Sequence, residues 1–281
     1  MMAEKQFNID GICSVMGMNR SSYYKWKDKP ELIDKNLYLR KEIQGIALEF
    51  PFYGYRRITK ELHRRGIPVN SKKVGRIMKE DNLICRRKKA FRPVTTDSNH
   101  NYNIYSNLIG NLEVTGLNQV WVADITYIRL VHEFIYLAAI IDIFSRKCIG
   151  WALSREINTL LALNALKMAI SKRKLFGLTN LVHHSDRGVQ YASNEYVELL
   201  QKYGIKISMS RGGNPYDNAF AETFMKTLKV EEVCINEYET FEDAYKNIKH
   251  FIDLVYNKKR LHSGLGYVPP EEFEKEVLAK I

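Results

Sequence analysis

The stretch that decides the fold is Gln119-Val-Trp-Val-Ala-Asp-Ile-Thr-Tyr-Ile-Arg-Leu130, with Phe134-Ile-Tyr-Leu-Ala-Ala-Ile-Ile-Asp-Ile143 and Cys148-Ile-Gly-Trp-Ala-Leu153 close behind it. Val, Ile, Thr, Tyr and Trp suit a pleated, half-buried surface. The middle run is apolar almost throughout, as in a strand covered on both faces. Two short connections make the three an antiparallel meander. Downstream, a helix is predicted over residues 158–172, with Leu160, Leu163, Leu166 or Lys167, and Ile170 on its packed face. A strand over 178–183, a helix over 193–203 and a short strand over 205–210 come next. In the last third, Phe241, Ala244, Tyr245, Ile248, Phe251, Ile252, Val255 and Tyr256 keep a helical period over four turns. The order βββαβαβα predicts an α/β domain built on a mixed five-stranded sheet with flanking helices.

Upstream the pattern is helical. Ile9, Ile12, Cys13, Val15 and Met16 make an apolar stripe that ends in a Met-Gly-Met turn, and Arg20–Trp26 starts a second short helix with Ser21 or Ser22 as its cap. A longer helix is expected from about Leu32 to Glu49. A helix-turn-helix-like pair is expected at about 52–82: Tyr55–Arg65, a break at Gly66-Ile-Pro68, then a helix capped by Asn70 or Ser71 that buries Val74, Ile77 and Met78. The other face of that last helix carries Lys72, Lys73, Arg76 and Lys79, the arrangement a DNA groove reader needs. The basic run Arg86, Arg87, Lys88 and Lys89 suits an arm that tracks phosphates. Residues 93–117, rich in Asn, Ser and Thr without periodicity, read as a linker. The expected organisation is therefore a basic helical region at 1–92, the linker, a core at 118–232 and a helical extension at 233–281.

Charge supports that division. The chain of 281 residues carries 43 Lys+Arg and 32 Asp+Glu, a net charge of +11. Residues 1–100 hold 22 basic and 11 acidic side chains, whereas residues 101–281 balance. A basic third joined to a neutral remainder points to a polyanion-binding module on another domain. Apolar residues at 45% and charged residues at 27% are globular values that exclude a disordered or fibrous chain. The longest apolar run, Phe134–Ile141, is far short of the roughly 20 residues that span a bilayer. With no apolar leader at the start, the chain is expected in the cytoplasm. Cys13, Cys85, Cys148 and Cys234 lie too far apart for a zinc motif and are expected as buried thiols.

Two acids interrupt the strand pattern: Asp124 inside the first strand and Asp186 just after the fourth, in His183-His-Ser-Asp-Arg-Gly188. Asp is depleted in strands, and strand carboxyl ends in α/β sheets are where ligands sit. A third acid, Glu222, belongs to a helix starting near Asp217. Asn218, Glu222, Lys226 and Lys229 fall on its polar face, and Phe220, Phe224 and Leu228 on the opposite one. Two Asp and a Glu without clustered Cys or His make a hard oxygen site suited to Mg²⁺ or Mn²⁺. Two such ions about 4 Å apart can drive phosphoryl transfer on nucleic acid.

The chain resembles the catalytic OrfB product of insertion-sequence transposases of the IS-three family, relatives of retroviral integrases. The resemblance covers nearly the whole chain: ICSVMGMNRSSYYKW, FYGYRRITKEL, NQVWVADITYI, HHSDRGVQYAS, GGNPYDNAFAETFMKTLK and YNKKRLHSGLGYVPPEEF. Asp186 and Glu222 are separated by 35 residues, as in the family's D,D-35-E pattern, and Lys229 follows the Glu at the family's spacing. The resemblance implies an RNase H-like integrase catalytic core, 3′-end cleavage and strand transfer. It also implies Asp124, Asp186 and Glu222 as ligands of two metal ions, and Lys229 as a catalytic residue at the transferred DNA end. Its implied partners are the element's terminal inverted repeats, target DNA, an OrfA product or OrfA–OrfB fusion, and further copies of the chain on DNA. Beside Asp186, His183 and His184 are candidate ligands or structural imidazoles, and Gly212 and Gly213 suit a flexible loop or a plain turn. In the closing motif Arg260 is a candidate phosphate contact or a packing residue. Two alternatives remain open at this point: an inactive relic or regulator that binds DNA without cutting it, and a nuclease that only hydrolyses.

Overall fold

The computed structural model describes residues 8–28, 34–83, 102–110, 112–211 and 215–280. Its centre is a five-stranded sheet in the order β3-β2-β1-β4-β5, where β1 is Val120–Arg129, β2 Phe134–Asp142, β3 Cys148–Ser154, β4 Val182–Ser185 and β5 Lys206–Met209. The first three strands form the expected antiparallel meander, and β4 and β5 run parallel to β1. The fourth strand starts later than its sequence pattern suggests, because Leu178 and Leu181 pack in the loop that precedes it.

Alternation sorts the sheet into two faces. Val120, Val122 and Ile128 pack with Leu137, Ala139 and Ile141 on one face, and Trp121, Ala123 and Ile125 with Ala138 and Ile140 on the other. The second face is covered by helix Thr159–Arg173, together with Val189–Ala192 and Asn194–Lys202. That long helix buries Leu161, Ala162, Ala165, Leu166 and Ala169, while Leu160, expected inside, is exposed. Its alanines let it approach Gly150 of β3 so closely that a Cβ there would lie 2.3 Å from the Ala165 carbonyl oxygen.

The first face is covered by Ala219–Leu228 and by Phe241–His250, which continues as a wide π-helical stretch, Phe251–Lys259. The C-terminal helix is thus one of the layers closing the sheet. Tyr105, Ile109 and Val114, in the region read as a linker, also pack against the two faces.

With the remaining elements in place, the helices in chain order are α1 (Ile9–Val15), α2 (Arg20–Lys27), α3 (Leu37–Glu49), α4 (Tyr55–Arg64), α5 (Ser71–Glu80), α6 (Thr159–Arg173), α7 (Val189–Ala192), α8 (Asn194–Lys202), α9 (Ala219–Leu228), α10 (Phe241–His250) and α11 (Pro270–Leu278). α3, α4 and α5 share a core of Ile43, Ile46, Ile58, Leu62, Val74 and Ile77. Asn70 caps α5 by accepting from Lys72 N–H at 2.8 Å. In α1 the expected apolar stripe is not a packed one: Cys13 is its buried residue, and Val15 and Met16 are exposed. The α2 cap is Asn19, which accepts from Ser22 N–H at 2.7 Å, because the helix begins one residue before the serines.

The N-terminal helices are docked on the far end of the chain. Leu261 is fully buried in their core. Its N–H donates to the Tyr53 hydroxyl at 2.8 Å, and Arg64 grips Glu272 through two hydrogen bonds of 2.8 and 2.6 Å. Cys13 and Cys148 are buried free thiols, whereas Cys234, also expected inside, is exposed at the end of the helical turn that follows α9. Among the described residues no helix is long and apolar enough to cross a membrane.

Candidate active site

Strand register alone brings the first two acids together. β1 and β4 are parallel, with Val120 beside Val182 and Val122 beside His184. Extending that register by two residues sets Asp124 on β1 level with Asp186, which lies just past the end of β4. Asp124 has the parity of Val120 and Val122, so it projects from the face that α9 covers. The Asp186 carboxylate accepts from Gly188 N–H at 2.9 Å, which turns the chain into α7.

α9 brings Glu222, which is exposed, to the same side. Asn218 precedes the helix but does not cap it. Its side chain donates instead to the carbonyl of Ala123 at 2.9 Å, tying the start of the Glu222 helix to the residue before Asp124. Sequence reasoning placed Asn218 only on the helix's polar face; an Asn ahead of a helix carries the same signal whether it caps or reaches across. The loop holding Gly212 and Gly213 lies outside the described residues. At its two ends, Arg211 pairs with Asp217 at 3.1 Å, and that guanidinium holds the Asp217 carboxyl well below the usual range.

Electrostatics tie the three acids into one site. Burial, then the charges of Asp186 and Glu222, push the Asp124 carboxyl up to about 8, against a hydrogen bond from Ile125 N–H and the charge of Lys229. Lys229 is half-buried, with Nζ 4.0 Å from the centroid of the Tyr127 ring on β1. Burial lowers its pKa, and the nearby Asp124 opposes that shift. Tyr127, which sequence reasoning did not single out, therefore supports the cation beside the acids. Its position on β1, three residues from Asp124, was the available signal.

The donor chemistry fits a hard divalent cation: oxygen ligands from carboxylates that repel one another until a positive charge lies between them. The buried side-chain polar atoms without a hydrogen-bond partner among the described residues are the Tyr191 hydroxyl and the Asn218 amide oxygen. Both border the acids, Tyr191 sensing Asp186 and Asp124, and a hydrated ion offers such atoms partners. Among the described residues no three Asp, Glu, His or Cys side chains are drawn into a single coordination sphere.

The two histidines are occupied structurally. His184 has Ser208 Oγ at 2.8 Å and Ser210 Oγ at 3.0 Å on its two nitrogens. His183 has the Tyr196 hydroxyl at 2.9 Å. Burial lowers both, to about 4 and about 3, so both are neutral.

On the N-terminal unit, Lys72, Lys73, Arg76 and Lys79 are all exposed along α5, with Arg76 3.6 Å from Glu80. Arg86, Arg87, Lys88 and Lys89 lie outside the described residues. Arg260 is a correction. It is 6% exposed, gripped by both oxygens of Glu231 at 2.7 and 2.8 Å, and is not presented to a phosphate. Its charge needed a carboxylate because it is buried.

The comparisons with known proteins make the chain a polynucleotidyl transferase of the integrase class. The chain matches the family described as Integrase core domain over residues 115–215, and a second of that description over 203–270. It matches the HTH-like domain over 34–91. It is 38% identical over 272 residues to the Insertion element IS600 uncharacterized 31 kDa protein of Shigella sonnei, covering 94% of this chain and 98% of that one. It is 34% identical to Transposase InsF for insertion sequence IS3A of Escherichia coli (strain K12), over 98% of this chain and 97% of the relative. Among solved structures it is similar to the HTLV-2 integrase catalytic core domain in complex with magnesium, at 18% identity and a TM-score of 0.39, over 56% of this chain and 96% of that one. The chain belongs to the IS3 family of insertion-sequence transposases.

Proposed function

We propose that this transposase cleaves the 3′ ends of its element's DNA and joins them to target DNA through a two-metal site formed by Asp124, Asp186 and Glu222. The observation that carries the reading is the Asn218 side chain, which donates to the Ala123 carbonyl at 2.9 Å and so ties the start of the Glu222 helix to the residue before Asp124, with Lys229 Nζ 4.0 Å from the Tyr127 ring on the same strand. Bound there, Mg²⁺ or Mn²⁺ would supply activation of a water or 3′-hydroxyl and stabilisation of the leaving oxygen. Asp124 offers an oxygen donor from β1 and Asp186 one from just past the end of β4, and Glu222 offers a third from a helix anchored by Asn218. Lys229, propped on Tyr127, offers a positive charge to a phosphate of the transferred end.

In the same reading, Lys72, Lys73, Arg76 and Lys79 on α5, and the run 86–89, bind the terminal inverted repeats. The acting species is a homo-oligomer on DNA that includes the OrfA product or an OrfA–OrfB fusion, working in the cytoplasm on the nucleoid. Family membership supports that extension.

The test is incubation of the purified chain with labelled DNA bearing the inverted repeats that flank its gene, with Mg²⁺ or Mn²⁺. The expected products are 3′-end nicks and joined strands, lost in Asp124→Asn, Asp186→Asn and Glu222→Gln by at least about 100-fold while DNA binding is retained. Full joining by any of the three variants overturns the site. Should the wild-type chain give no product, the OrfA–OrfB fusion is assayed in the same way, and its inactivity overturns the reading.

A further inference from the structure

Where the N-terminal helices meet the core, two arginines are half-buried without a carboxylate in ion-pair contact among the described residues. Arg57, on α4, lies with its guanidinium carbon 5.5 Å from the centroid of the Tyr53 ring. Arg146, on the turn between β2 and β3, lies 3.8 Å above the Phe220 ring of α9. Arg260 lies near Arg57, and His262 is near enough to feel the charges of Arg260, Arg57 and Arg146. Glu231 is already engaged through both oxygens by Arg260. Asp142, beside Arg146, spends its oxygens on the backbone N–H groups of Asn118, Phe144 and Ser145. Among the described residues no carboxylate lies within ion-pair distance of Arg57 or Arg146. Desolvation lowers both pKa values, yet a guanidinium stays charged. His262 reports the excess of positive charge: burial and then Arg260, Arg57 and Arg146 all push it toward the neutral form.

Backbone strain lies at the same seam. The non-glycine residues with positive φ are Asn82, Asn118, Asn180, Arg146 and Tyr267 among those described. Asn tolerates that region; a larger side chain there costs on the order of 1 kcal/mol. Arg146, at φ 62°, and Tyr267, at φ 67°, both border this junction, Tyr267 contributing to the surroundings of Arg57. Strained backbone that is retained clusters at binding and catalytic sites.

We propose that Arg57 and Arg146 form a phosphate-binding seam between the N-terminal helical unit and the catalytic core, each fork receiving the oxygens of a phosphodiester in duplex DNA. A planar fork held close over an aromatic face, as Arg146 is over Phe220, is preorganised for a bidentate oxyanion. An anion would meet two half-buried guanidiniums that make no ion pair among the described residues, and the docked N-terminal unit presents its DNA-reading helix on the same body. The seam would carry the backbone from α5 onto the core, which makes the inference rest on the DNA-binding role of α5 given above.

The test measures binding of the full chain to a duplex of arbitrary sequence across a series of salt concentrations. Arg57→Gln and Arg146→Gln are each expected to reduce the salt slope by about 1, and the double variant by about 2. Arg57→Lys and Arg146→Lys are expected to keep most of the slope with weaker binding, since the charge remains and the fork is lost. In the unmodified protein, duplex is expected to protect Arg57 and Arg146 from an arginine-specific dicarbonyl reagent, which reads the seam even if a variant fails to fold. A wild-type slope in the double variant, or equal modification with and without duplex, overturns the seam. When Lys72→Gln and Lys73→Gln still lower the slope in that case, the DNA-binding reading of α5 stands alone. A wild-type chain that binds no duplex overturns both.

Discussion

His183 and Asp186 are three residues apart in one loop-bound strand end, yet they do opposite work. Asp186 stands beside Asp124, while His183 is sealed under Tyr196 and Tyr191. Burial, then the neighbouring His184, lower His183 to about 3, against about 6.5 in an unfolded chain. A depressed histidine pKa stabilises the fold above the unfolded value, and that contribution is lost as pH falls, because only the unfolded state then takes up the proton. From pH 7.5 to pH 5 this residue alone is expected to remove about 2 kcal/mol, measured by urea unfolding. His183→Gln should shrink that pH dependence; an unchanged dependence would mean the imidazole is not held neutral. At this scale the acids were legible, since an Asp inside a Val/Ile/Tyr strand demands a reason. Asn218 and Arg260 were not. What decides them is a partner far away in sequence: the Ala123 carbonyl for one, the Glu231 carboxylate for the other.

Elements were legible where pattern and burial coincide. The meander was read within about a residue at each end because β-branched and aromatic runs stop at turn residues, and the C-terminal helix kept its apolar face even through its π-helical stretch. α6 was read correctly at Leu166 and Ile170, which are buried, and wrongly at Leu160, which is exposed. Large side chains such as Leu160 carry the sequence signal, but the buried side is built on Ala162, Ala165 and Ala169 so that the helix can lie against Gly150. Gly150→Ala tests that packing. Its Cβ would meet the Ala165 carbonyl oxygen at 2.3 Å and the Ala169 nitrogen at 2.9 Å, both backbone atoms that cannot rotate away. The expected cost is about 1–3 kcal/mol of unfolding free energy. Circular dichroism in urea reads it, and a neutral substitution would mean that α6 does not approach the sheet this closely.

At the scale of the whole molecule, the chain's two ends fold onto each other. Composition separated a basic third from a neutral remainder and put a linker between them, but it could not report that Leu261 completes the core of α3, α4 and α5. That contact is a single apolar side chain beyond the end of a long helix, with no periodicity to announce it. Leu261→Ala should open a cavity among Ile58, Leu62 and their neighbours and destabilise the N-terminal unit by about 2–5 kcal/mol. The sheet has its own core on both faces, so the loss should be local. Hydrogen exchange resolved by residue is the measurement: amides of α4 and α5 should exchange faster in the variant, while those of β1 and β2 keep their protection. Uniformly faster exchange across both regions would mean that the N-terminal helices and the sheet unfold as one unit. Unchanged exchange in α4 and α5 would mean that the docking does not hold them. The local outcome would make the C-terminal motif a structural plate through which α5 is kept at a fixed position relative to the three carboxylates.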